Sequence, residues 1–211
     1  MKFENRQDAG ELLAESLKKY GKNSIVLAIP RGGVVVGAEV AKALKCSLDL
    51  IIIRKLGAPG NPELAIGATT SKGGLVVDRD LIESLGVNQH YLHSEHLKQL
   101  GEARRREKLY IKGESPKIIG KTVILVDDGI ATGATIEAGI NAVKEELPSQ
   151  IVVATPVAPP STVERLKKLV DNVVVSSAPE PFYAIGEFYV DFPQVTDEEV
   201  IKILDQVNQN K

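Results

Sequence analysis

Apolar residues gather in short runs rich in Val and Ile, at 25–29, 48–53, 123–126, 151–154 and 173–175. Runs of this length without strict alternation predict strands covered on both faces. Between most of them apolar positions recur at helical spacing, over 34–44, 134–147 and 161–169. Strand and helix alternate, which predicts an α/β fold with a mostly parallel twisted sheet and flanking helices. Two helix starts are marked by a hydroxyl followed three residues later by a carboxylate, Ser161 with Glu164 and Thr196 with Glu199. The second opens a short C-terminal helix.

The alternation breaks between about 56 and 121. There 65–70 and 75–78 flank Lys72-Gly73-Gly74 as a hairpin, and 88–108 reads as one charged helix. An insertion with specialised parts is expected here. No internal repeat, low-complexity tract or long polar linker divides the chain, so a single domain over 1–211 is expected.

Charge narrows the choice of partner. Lys and Arg number 26 against 28 Asp and Glu, a formal net charge of -2, so no overall positive field holds the chain on nucleic acid or an anionic membrane. Anion binding has to be local, and a nucleic-acid partner is not expected. The one cysteine, Cys46, excludes an intrachain disulfide framework and points to a reducing compartment, by default the cytoplasm. The first twenty residues lack the apolar core of a secretory signal, and no export is expected. Arg54, Asp78 and Asp127 interrupt or end the strongest apolar runs, short of the roughly 18 residues a spanning helix needs, so no membrane association is expected.

The most informative stretch runs from Thr122 to Thr135. An apolar strand ends in Asp127 and Asp128, and a loop of Gly129, Ile130, Ala131, Thr132 and Gly133 leads into a helix near Ala134 and Thr135. A helix start presents backbone N–H groups and a partial positive charge, and glycines let a phosphate approach that backbone. Thr132 and Thr135 add hydroxyl donors. Two adjacent carboxylates suit a ligand with hydroxyl donors, or a magnesium ion close by. A ribose phosphate has both features, whereas an isolated Asp-Asp-Gly is also an ordinary strand-ending turn.

This segment resembles the phosphoribosyl-diphosphate (PRPP) motif of the type I phosphoribosyltransferases: four apolar residues, two acids, then a small-residue loop with Thr-Gly and a closing Thr. Pro30-Arg31-Gly32-Gly33, after the first core strand, is similar to the family's diphosphate loop, where a cis peptide is expected at Arg31–Gly32. Read alone, Gly32 and Gly33 equally suit close packing of a helix on a strand. Arg54-Lys55 is similar to the family's basic pair near the diphosphate. A cation there would stabilise charge on a departing diphosphate.

The resemblance implies a Rossmann-like sheet with a small C-terminal hood, here about 178–195, and transfer of a 5-phosphoribosyl group from PRPP to a nitrogenous base, releasing diphosphate. It implies Asp127, Asp128, Arg31 and Lys55 at the reacting centre, 129–135 around the 5-phosphate, and Arg31, Gly32, Gly33, Arg54 and Lys55 around the diphosphate. It implies magnesium (Mg2+) as cofactor, reached by Asp127 and Asp128 only through ribose hydroxyls or water. PRPP and a nucleobase or other nitrogenous acceptor are the implied partners. Many relatives are dimers, which implies a homo-oligomer. In the aromatic-rich stretch 181–192, Phe182 or Tyr183 would stack on the base, Ile185 offers backbone groups and Asp191 a carboxylate. Read from its residues alone, the same stretch is a hydrophobic cluster packing the terminal helix.

Ala131 departs from 6-oxopurine relatives, which place an Asp general base there; a methyl accepts no proton. Glu63, in a Gly/Pro-rich loop, is the substitute considered. The departure also leaves open a second class of function, a PRPP-binding sensor without transfer. A mobile closing segment is expected around 101–117, where Arg104, Arg105, Arg106 and Lys108 cluster. Three other patterns carry less. Gly120-Lys121-Thr122 leads into a strand and is no ATP-binding P-loop, and the glycines near 32–37 lack the dinucleotide order. His90, His93 and His96 read as a solvated helix face without a fourth metal ligand.

Overall fold

The computed structural model of the chain describes residues 2–111 and 115–209, except the side chain of Glu63. Helix α1 (Arg6–Leu17) precedes strand β1 (Ser24–Ala28), helix α2 (Gly32–Leu44) and strand β2 (Ser47–Leu50). Strands β3 (Ile53–Ala58), β4 (Asn61–Thr70) and β5 (Leu75–Val77) follow, then helices α3 (Arg79–Ser84) and α4 (Gln89–Tyr110). The chain ends with β6 (Thr122–Val126), α5 (Ala134–Lys144), β7 (Gln150–Val157), α6 (Pro160–Leu166), β8 (Asn172–Ser177) and α7 (Asp197–Gln209).

Five strands form a parallel sheet in the order β2-β1-β6-β7-β8. Its strands are buried on both sides because successive side chains serve two different cores. Val26, Ala28, Ile124, Val126, Val152 and Ala154 pack with α1, α2 and α7, and the residues between them pack with α5 and α6. Helices therefore lie on both faces, as the apolar runs predict.

The run 48–53 divides between two sheets. β2 ends at Leu50, Ile51 N–H donates to Ala28 C=O, and β3 begins at Ile53 in an antiparallel sheet of order β3-β4-β5. Both halves are apolar because each is covered by its own layer, so hydropathy carries no mark of the break. Arg54 and Lys55 consequently lie near the start of a strand, where the end of one was expected. The hairpin around Lys72-Gly73-Gly74 is present as β4 and β5.

Helix α6 starts one residue before Ser161, with Pro160 at its first position and no side-chain cap. Proline there needs no N–H partner and presets the helical φ, which overrides the Ser161–Glu164 pattern. The Thr196–Glu199 pair does close as a reciprocal cap: Thr196 N–H donates to Glu199 Oε2 at 2.7 Å, and Glu199 N–H to Thr196 Oγ1 at 3.2 Å. Most of the segment expected to be mobile is the regular end of α4, up to Tyr110; residues 112–114 lie outside the described ones. Among the described residues no helix is long and apolar enough to cross a membrane.

Candidate functional site

Parallel pairing of β1 and β6, with Ala28 opposite Val126, brings the loops after both strands to one edge of the sheet. Ile29 N–H donates to Val126 C=O at 2.9 Å, which carries the pairing one residue past the strand. The two loops then touch. A Cβ on Gly32 would stand 1.9 Å from Asp128 Oδ2, and one on Gly33 2.9 Å from Asp127 Cα. Both glycines are needed for this approach, whatever else they do. The cis peptide is at Pro30–Arg31, one bond earlier than expected; Arg31–Gly32 leads directly into α2.

Asp127 and Asp128 adjoin, and Asp128 N–H donates to Asp127 Oδ1 at 2.9 Å. Burial, then the Asp128 carboxylate, holds the Asp127 carboxyl well above the usual carboxylate range. Asp127 keeps some accessible surface, yet the direction holds because a second charge beside Asp128 is disfavoured on its own. Arg6, on α1, meets the pair: Nε lies 2.6 Å from Asp128 Oδ2, with both residues 8% exposed. The Tyr189 hydroxyl donates to the Asp128 carbonyl at 2.5 Å.

Gly133 ends the loop in the left-handed region, at φ 79°, and stands where the cap of α5 would be, without a capping side chain. Among the described residues, no hydrogen bond engages the backbone N–H groups of 131–136 or the hydroxyls of Thr132 and Thr135. The loop's carbonyls are engaged from behind. Thr162 Oγ1 donates to Ala131 C=O at 2.7 Å, and Arg165 donates to Thr132 C=O while pairing with Glu137 at 2.8 Å. The α6 side chains thus fix a loop whose donors face the other way, and Ala131, Thr132 and Ala134 are exposed.

The basic residues are more scattered. Arg31 lies 3.6 Å from Asp197 Oδ1, the atom that also accepts the Tyr110 hydroxyl at 2.6 Å. Burial, then Asp197, pushes the Tyr110 hydroxyl up to about 12. Arg54 Nε donates to Gln99 of α4 at 3.1 Å, and burial, then Arg106, lowers its pKa. Lys55 is exposed. Among the described residues, no hydrogen bond or ion pair joins Arg54 or Lys55 to Arg31 or to 127–135. Arg104 donates to Ser71 C=O, and Arg105 and Arg106 pair with Glu102.

Part of the C-terminal segment packs against the loop. Residues 185–188 make a 3-10 turn, and a Cβ on Gly129 would stand 2.3 Å from Ile185 Cγ2, so Ile185 sits against the loop. Tyr183 is 79% exposed and unencumbered by packing. Two of the expected base contacts are placed otherwise. Phe182 packs in an aromatic cluster with Phe188, ring centres 5.0 Å apart, because Phe3, Ala9 and Val157 bury that side of the segment. Asp191 N–H donates to Glu4 C=O, since residues 188–191 run alongside 3–4, and this carries Asp191 toward the start of α1. There it lines a cavity of about 380 Å³ together with Arg6, Lys202 and Val35, and none of 127–135 lines that cavity.

Sequence reading missed Arg6, Thr162, Arg165 and Tyr189. Arg6 is 122 positions from Asp128, and a lone basic residue opening an amphipathic helix carries no local signal. Among the described residues no three of His, Cys, Asp and Glu gather as a metal cluster, His90, His93 and His96 included.

The phosphoribosyl transferase domain model matches residues 4–192. Two curated Mycobacterium tuberculosis proteins, from strains CDC 1551 and H37Rv and provisionally named phosphoribosyl transferases, are each 38% identical over 210 residues. Those matches cover 99% of this chain and 47% of each relative, so the chain spans about half their length. The crystal structure of TT1426 from Thermus thermophilus is 45% identical, with a TM-score of 0.85 over 98% of this chain and 99% of that one. The AQ2163 protein of Aquifex aeolicus, 12% identical with a TM-score of 0.51 over 94% of this chain and 82% of that one, shares the fold alone.

Proposed function

The chain belongs to the phosphoribosyl transferase family, and on that premise we propose that it transfers the 5-phosphoribosyl group of PRPP to a nitrogenous base. One observation carries the reading: a loop at the start of α5 whose N–H groups and hydroxyls are free among the described residues, beside the adjoining carboxyl groups of Asp127 and Asp128. Phosphate takes the donors, and the ribose hydroxyls take the carboxylate.

In the proposed reaction the bond from ribose C1 to the diphosphate oxygen breaks, and a bond from C1 to a base nitrogen forms. That nitrogen passes its proton to the departing diphosphate, which leaves with the electron pair of the broken bond. Positive charge develops on the sugar, near Asp128, while negative charge gathers on the leaving group, near Arg31. Ile185 and the aromatic segment cover the centre and exclude water, and Tyr183 offers a face for the acceptor.

Magnesium fits only as an ion brought with PRPP. Asp128 is already paired with Arg6 and burial disfavours charge on Asp127, so among the described residues there is no direct oxygen cage. Asp127 and Asp128 would reach such an ion through ribose hydroxyls or water. When bound, it would neutralise diphosphate charge.

Mass spectrometry of the purified protein with PRPP, magnesium and a mixture of purine and pyrimidine bases tests the reading. A nucleoside monophosphate is expected and would identify the acceptor. Ala131, exposed and without a proton acceptor, favours a second reading, a PRPP sensor. Binding of PRPP with no product from any base supports that one instead.

A further inference from the structure

The geometry points to Arg6 as a positioning residue for the ribose end of this site, acting through Asp128 and linking that carboxylate to the C-terminal cover. The inference rests on the proposed role of Asp127 and Asp128 toward ribose hydroxyls, and it concerns a residue outside the motif that suggested that role.

Arg6 is the first residue of α1, behind Asn5, whose side chain accepts from Gln7 N–H and Asp8 N–H and fixes the start of the helix. Its guanidinium is committed in three directions. Nε contacts Asp128 Oδ2 at 2.6 Å, Nη1 donates to Pro193 C=O at 2.7 Å, and the plane stacks 3.6 Å from the centre of the Phe192 ring. A planar fork is suited to this combination, and an ammonium is not.

The consequence falls on Asp128. Its Oδ2 is held by Arg6 and lies against the Cβ-less side of Gly32, and the carboxyl also meets that of Asp127, so its orientation is fixed. Its remaining lone pairs are what a ribose hydroxyl would meet. The same guanidinium holds the 192–193 segment, which continues the cover carrying Ile185 and Tyr189. Ribose site and cover thus share one support.

Calorimetric titration of PRPP with magnesium into the full chain tests this. Arg6→Met is expected to weaken binding about tenfold or more, because a buried carboxylate loses its partner and its fixed orientation. Arg6→Lys recovers part of the loss. The decisive arm is Arg6→Met in an Asp128→Asn background, where the substitution should cost no more than about two- to threefold, as expected from the cover contact alone, since no carboxylate is left to position. Phe192→Leu, which keeps the ion pair, should weaken binding only about two- to threefold and serves if Arg6→Met does not fold.

Unchanged affinity in Arg6→Met, or an equal loss in both backgrounds, overturns the positioning role while leaving the PRPP site standing. If Arg6→Met does not fold, full affinity in both Arg6→Lys and Phe192→Leu overturns it as well. A wild-type protein that does not bind PRPP overturns the functional reading, and this inference with it. Thermal melting of each variant separates these results from unfolding.

Discussion

The two ends of the proposed cleft are built differently. At the α5 end, contacts from Thr162 and Arg165 fix the loop from behind, so its backbone donors are in place before any ligand arrives. At the other end the cations are side chains committed elsewhere, Arg31 toward Asp197 and Arg54 toward Gln99, with Lys55 exposed. Backbone donors held by a rigid frame need no rearrangement on binding, whereas side chains must give up partners first. The lesson is that the proposed 5-phosphate pocket is preformed, whereas the proposed diphosphate pocket would have to be assembled around its ligand.

The largest expected effect comes from removing what lies between the two ends. Asp127→Asn with Asp128→Asn should weaken PRPP binding by roughly 2–4 kcal/mol, the scale of two charge-assisted hydrogen bonds, as read by calorimetry. Undiminished affinity removes the assignment of the pair.

Gly133→Ala attacks the preformed end directly. The residue has φ 79°, and its Cβ would stand 2.8 Å from Arg165 Nη2. A cost of about 1–3 kcal/mol in stability is expected from denaturant melts, with PRPP affinity lost alongside. A variant of full stability would mean that the loop is less rigid than its contacts imply.

Asp127→Asn alone separates stability from binding. A carboxyl whose pKa is raised in the folded state loses stability as pH rises above its unfolded value, because the unfolded chain then releases the proton more readily. The Asn variant should therefore melt higher than wild type at pH 7, with the gain shrinking toward zero as pH falls below the ordinary carboxylate value of 3.8. Asp128, Arg6 and Tyr189 are the titratable neighbours whose charges bear on this carboxyl. A pH-independent gain points to a cause other than titration.

Thr162→Val removes one support from behind the loop and is expected to cost about 1 kcal/mol, in PRPP affinity more than in melting temperature. Thr132→Ala is expected to cost least, under about 1 kcal/mol, because the backbone donors remain. If Thr132→Ala proves worse than Thr162→Val, hydroxyls and not backbone dominate the loop.

What could be read from the sequence follows the same division. The strand–acid–loop–helix order of 122–135 is local in the chain, so its residues announced their own geometry. The Lys72-Gly73-Gly74 hairpin and the Thr196–Glu199 cap are local too, and both are present. Features assembled from distant segments left no such trace. Arg6 reaches Asp128 across 122 positions, Thr162 and Arg165 reach the loop from another helix, and 188–191 are drawn to 3–4 by pairing that also carries Asp191 to the α1 side. The break between β2 and β3 is hidden because both sides of it are buried.

A crystal structure of the protein with PRPP and magnesium tests the central claim most directly. The account predicts the 5-phosphate within hydrogen-bonding distance of the backbone N–H groups of 131–135, with a loop conformation unchanged from the free protein and Arg31 moved off Asp197 toward the diphosphate. A 5-phosphate bound anywhere else, or a loop that rebuilds to receive it, contradicts the account.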